Sequence, residues 1–188
     1  MALLNNTQLR RKSYLRLLLR YVGVTFIGLS FALFYVVARK GMGAFANVIF
    51  SFCTISCMLC LYADLCLKLG GEMGGNVRLH KEKDCPKHGM LLGILSTIPY
   101  YVTYIILVLS KAGVIGNFFG WFKLINSPYL PLLDLFGKAD TKAAAIPIDY
   151  LIIFAIFPVI NIVVCHLCYK ISYERIDVAK KVLYKNKD

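Results

Sequence analysis

Cys165-His166-Leu167-Cys168 places two thiols three residues apart. That is the spacing at which one thiolate attacks a disulfide and the second resolves the mixed intermediate. A chain using Cys165 and Cys168 in this way would be a membrane thiol oxidoreductase. Two features count against it. Such a pair works toward an oxidising face, whereas charge counting (below) puts it at the reducing one, and no second cysteine pair stands in an outer loop as electron partner. The order Cys-His-x-Cys is also not the Cys-x-x-Cys-His of covalent haem attachment.

Cys85-Pro86-Lys87-His88 offers two zinc-type ligands. A structural zinc site takes four, so His80, or Cys165 with Cys168, would have to complete it. The expectation is a solvated loop, with no metal and no cofactor. A third constellation is Cys53, Cys57, Cys60 and Asp64, whose spacing of four, three and four lines up one helical face. A soft metal or a polar pathway would use such a face. Small residues packing against a neighbouring helix, with Asp64 paired to Lys68 one turn on, explain it more simply. Together with Asn161 and His166 these residues form the expected intramembrane polar face. Asp134, Asp140 and Asp149 are the only other acids grouped loosely enough to invite catalysis. Nothing fixes their separation, and they are expected to be solvated.

The elements that must carry these groups are set by where charge is missing. Of 188 residues, 59% are hydrophobic and only 17% charged, with a mean hydropathy of +0.65. The charges cluster between long uncharged blocks. Each bilayer crossing takes about 20 apolar residues, and a soluble helical core would instead distribute charge every few residues. The fold class is therefore all-α, a polytopic helical membrane protein. Four spans are expected at about 21–38, 44–67, 90–110 and 150–169. No repeat and no cleavable signal is evident, and the first block reads as a retained anchor.

Residues 1–20 form a basic leader, part of it an interfacial helix. Residues 68–89 read as a polar loop whose Gly70-Gly71 and Gly74-Gly75 pairs act as a flexible joint. These glycines are no phosphate-binding loop, since no Gly-Lys-Ser/Thr follows. Within 111–149, residues 112–136 are apolar but short and interrupted by Lys123, Pro128 and Pro131, which predicts an interfacial or re-entrant segment rather than a crossing. Residues 170–188 segregate on a helical wheel into an apolar arc and a charged one, predicting an amphipathic C-terminal helix.

The net charge is +12. Because the basic residues flank apolar blocks, the expected partner is an anionic inner leaflet and not nucleic acid. Sixteen of the 22 Lys and Arg residues lie in the leader, the 68–89 segment and the tail, and six lie on the other side. That bias predicts both termini in the cytoplasm of a multi-pass cell-membrane protein. The function expected is that of an accessory or regulatory subunit or transporter component without a catalytic site, working as a homo-oligomer or with a membrane partner. A small-solute carrier is the alternative from another class, and the thiol oxidoreductase the third.

Overall fold

The computed structural model describes residues 6–80, 85–137 and 141–174. Every regular element among them is helical: α1 (Asn6–Met42), α2 (Ala44–His80), α3 (His88–Lys111), α4 (Phe119–Ile125), α5 (Leu130–Leu133), α6 (Ile148–Ile156) and α7 (Val159–Tyr173), with short 3-10 turns at Ser127–Tyr129 and Ala143–Ala145. Four stretches, Thr7–Met42, Ala44–Leu79, His88–Lys111 and Ile148–Tyr173, are long and apolar enough to cross a membrane. The chain is an all-helical protein with four helices able to span a bilayer.

The described part of the leader is not a separate element. It continues without a break into α1, whose 37 residues reach ~55 Å at 1.5 Å per residue. The connection to α2 shrinks to Gly43, whose φ of +58° suits a residue without Cβ. Its N–H closes on Arg39 O at 3.0 Å. Helix α3 ends in a Schellman motif. Gly113 has φ +80°, its N–H bonds Ser110 O, and the Val114 N–H bonds Leu109 O, so the last carbonyls are satisfied before the chain turns.

The fourth apolar stretch, read from sequence as one span, is broken. Helix α6 stops at Ile156 and α7 starts at Val159, with Phe157 and Pro158 as the turn. Pro158 has no N–H for Phe154 O. The Tyr100 hydroxyl takes that role, donating to Phe154 O at 2.9 Å. Tyr101 and Tyr104 donate to Ala155 O and Leu151 O, each at 3.0 Å. A tyrosine ladder on α3 thus binds the carbonyls around the break.

The helices contribute to two compact units. The first comprises Met1–Leu18, Tyr62–Ser96 and Asn161–Asp188, and the second Leu19–Leu61 and Thr97–Ile160. In the first, the glycines expected to form a flexible joint lie inside α2 and face a neighbour. A Cβ on Gly70 would run into the Tyr169 carbonyl, and one on Gly74 into the Tyr173 carbonyl. Gly70-x-x-x-Gly74 is a small-residue seam that lets α2 and α7 meet backbone to backbone. Gly89 and Gly93 of α3 also sit close to α7, Gly89 against the Tyr169 side chain and Gly93 against the Ile162 backbone and the Cys165 Cβ. Close packing, rather than the intrinsic preference of glycine, decides the local structure there.

In the second unit the core is aromatic. Phe154 stacks on Phe119 and Phe122 at 6.3 and 6.2 Å and meets Phe136 edge-on at 5.4 Å. The predicted amphipathic helix at 170–188 is described only to Glu174, where Lys170 and Glu174 approach at 4.0 Å. The rest of it lies outside the described residues, as does Asp140.

Candidate functional site

The segment between α3 and α6 brings its polar groups to the interior of the second unit. Ser110 Oγ donates to Gly116 O at 2.7 Å and accepts the Phe118 N–H at 3.0 Å, fixing the entry to α4. Three contacts then tie the following residues to three different helices. Asn126 Nδ2 donates to Thr103 Oγ1 of α3 at 2.9 Å. Ser127 Oγ donates to Thr25 O of α1 at 3.1 Å. Thr54 Oγ1 of α2 lies 2.8 Å from Pro128 O. A glycine makes room for this approach, since a Cβ on Gly28 would sit 2.7 Å from Ser127 Oγ and 2.8 Å from Pro128 N.

Next to these contacts lies the most concentrated charge in the described structure. Asp134, at the end of α5, receives Lys123 Nζ on Oδ1 at 2.5 Å and Arg39 of α1 on Oδ2. The Tyr35 hydroxyl also reaches Asp134 Oδ2 at 2.8 Å and Asn47 Oδ1 at 3.1 Å. Lys123 is 2% exposed. It further donates to Gly137 O and lies over the Phe119 ring, 4.6 Å from its centroid. Two cations face one carboxylate, so the group carries a net charge of +1. Asp134 was expected to be solvated. It is buried instead because Lys123 and Arg39 replace the water it loses. A sequence signal existed: one acid in Leu130–Phe136 and one base in Phe118–Ile125 are each the only charge in an apolar run, which is ground for suspicion in a membrane segment. Asp149 sits in the first turn of α6, where a negative charge favours the helix dipole.

The first unit holds the thiols and imidazole. Cys85 and His88, expected in a solvated loop, are buried at the start of α3. The Cys85 N–H donates to the Tyr173 hydroxyl at 3.1 Å. The Tyr169 hydroxyl lies 3.1 Å from Cys85 O, 3.3 Å from Met73 Sδ and 3.7 Å from Cys85 Sγ. Ser13 Oγ lies 2.6 Å from Arg10 O and 3.1 Å from His88 Nε2. With the single serine proton directed to Arg10 O, His88 Nε2 is the donor to Ser13. Ser13 is thus not presented as a nucleophile activated by His88. Among the described residues no three His, Cys, Asp or Glu side chains are grouped as a metal site requires, so Cys85, His88, Cys165 and Cys168 are not brought together. Cys165 is buried and Cys168 half-buried, both within α7. They lack the helix N-terminus that activates a redox Cys-x-x-Cys.

Of the expected polar face, Cys53 and Cys60 are exposed and Cys57 half-buried. Asp64 pairs with Lys68 at 2.9 Å. Asn161 is buried and His166 half-buried on α7. These residues are divided between the two units, Cys53, Cys57 and Cys60 in the second and Asp64, Asn161 and His166 in the first. The grouping that does assemble, Tyr35, Arg39, Asn47, Lys123 and Asp134, is drawn from residues 99 positions apart in the chain.

No protein-family model matches the chain, and neither a curated protein nor a solved structure matches it.

Proposed function

We propose that the chain is a non-catalytic multi-pass subunit of the cell membrane, with both termini cytoplasmic, acting through contacts of its helices with a membrane partner or a second copy. The observation that carries this reading is that a nearly buried acid and three tyrosine hydroxyls are engaged in holding helices together. Asp134 is held by Arg39 and Lys123. The hydroxyls of Tyr100, Tyr101 and Tyr104 bind carbonyls, and Ser13 of α1 meets His88 of α3. Large apolar side chains are left outward, among them Phe26, Leu33 and Val37 on α1 and Phe45 and Phe52 on α2. The 112–136 stretch is a re-entrant segment in this reading. Its backbone is irregular, which hydrocarbon tolerates only where protein satisfies it; Thr54 Oγ1 does so at Pro128 O, while the Asn126 and Ser127 side chains bond Thr103 Oγ1 and Thr25 O. The basic leader and tail lie against an anionic inner leaflet.

Purification in mild detergent tests the proposal. A stoichiometric membrane protein, or a discrete oligomer of the chain, is expected to copurify. A monomer without protein partners contradicts it. A second reading, carriage of a small anionic solute, is favoured by the net positive charge of the Arg39–Asp134–Lys123 group beside the broken α6. Solute flux in liposomes containing this chain alone, abolished in Asp134→Asn, would support that reading over the first.

A further inference from the structure

Along the seam in the first unit, Gly70 lies on Tyr169 and Gly74 on Tyr173. A step of four residues on α2 matches a step of four on α7 in the same direction, so the two helices run parallel there. One turn earlier the same register sets Cys66 opposite Cys165. Both residues are 0% exposed and both thiols are free. Ordinary helix pairs keep their axes about 8–10 Å apart. A disulfide needs Cα atoms about 4.4–6.8 Å apart and Cβ atoms near 3.8 Å. The glycine seam supplies the closer approach. Helix α3 presses from another side, where a Cβ on Gly93 would sit 3.3 Å from the Cys165 Cβ. Cys168 is the poorer partner for Cys165, because residues three apart on a regular helix hold their Cβ atoms about 5–6 Å apart.

We propose that Cys66 and Cys165 are an oxidisable dithiol, converted by an apolar organic hydroperoxide to a disulfide that ties α2 to α7. An apolar oxidant fits because it dissolves in the hydrocarbon around helices of this kind, and half-buried Cys168 marks the side from which it reaches the pair. The Cys165 sulfur, as thiolate, attacks the terminal oxygen of the hydroperoxide. The O–O bond breaks, the departing alkoxide takes up the proton that Cys165 gave up and leaves as an alcohol, and Cys165 becomes a sulfenic acid. The Cys66 sulfur, having given up its proton, attacks the Cys165 sulfur. The S–S bond forms, and the departing hydroxide takes that proton and leaves as water. Two thiols and one hydroperoxide thus give one disulfide, one alcohol and one water. Two electrons pass from the sulfurs to the peroxide oxygens. A dithiol reductant reverses the linkage.

The test uses the full chain in lipid nanodiscs treated with cumene hydroperoxide. Remaining thiols are alkylated, and the protein is digested and mapped by mass spectrometry without reduction. A Cys66–Cys165 linked peptide is expected in most chains. It should be lost on reduction and absent from Cys66→Ser and Cys165→Ser, but retained in Cys168→Ser and Cys85→Ser. The wild-type map is decisive even where a variant folds poorly. Oxidation of the exposed Cys53 and Cys60 without the Cys66–Cys165 linkage overturns the proposal. A Cys165–Cys168 linkage in its place does the same.

Discussion

Lys123 Nζ and Asp134 Oδ1 meet at 2.5 Å with side chains only 3% and 9% exposed, while Arg39 takes the other oxygen of the same carboxylate. The carboxylate is shared between two cations, and this asymmetry sets the order of mutational damage. Asp134→Asn removes the carboxylate that Lys123 and Arg39 share. Removing one member of a buried pair typically costs about 3–5 kcal/mol, and a loss of that order is expected in thermal unfolding in detergent. Lys123→Met leaves Arg39 and Asp134 as a neutral pair and should cost less. Equal losses for the two variants would show that the charges are not coupled in this way.

Gly70 and Gly75 should behave oppositely, although both are helical glycines in α2. The space around Gly75 is open, so Gly75→Ala gains helix propensity of about 0.5–1 kcal/mol. A Cβ at Gly70 meets the backbone oxygen of Tyr169, which cannot rotate away. Gly70→Ala must therefore force α2 and α7 apart and lower the melting temperature. Two stabilised variants would deny the seam.

Tyr100 and Pro158 form a compensating pair. In Tyr100→Phe, Phe154 O loses its donor, and an orphaned buried acceptor costs about 1–3 kcal/mol. Pro158→Ala restores an N–H that can bond Phe154 O. The double variant should lose less stability than Tyr100→Phe loses in the wild-type background, as measured by a thermal double-mutant cycle. Simple additivity would mean that the hydroxyl does not replace the missing N–H.

Sixteen basic residues against six predict the orientation. Reporter fusions after Lys40 and at Asp188 are expected to report outside and inside, respectively. An outside signal at Asp188 would make residues 112–136 a true crossing and refute the re-entrant reading.

The amino-acid sequence by itself determined the class of the molecule and the presence of four apolar stretches able to cross a bilayer. Burying about 20 uncharged residues in hydrocarbon is a one-dimensional property, readable without knowing any neighbour. It also marked the Asp64–Lys68 pair, which is local. The rest needed the third dimension. Gly70 and Gly74 look like a joint until Tyr169 and Tyr173, about a hundred residues away, cover them. Asp134 looks solvated until Lys123 and Arg39 close on it. The 150–169 stretch looks like one unbroken span until Pro158 is seen to interrupt it and the tyrosines of α3 to bind the carbonyls around it. The one-dimensional pattern reports how each residue partitions between water and hydrocarbon. Whether a glycine bends or packs, and whether an acid is solvated or paired, depends on which distant groups reach it. Only the tertiary structure of each unit decides that.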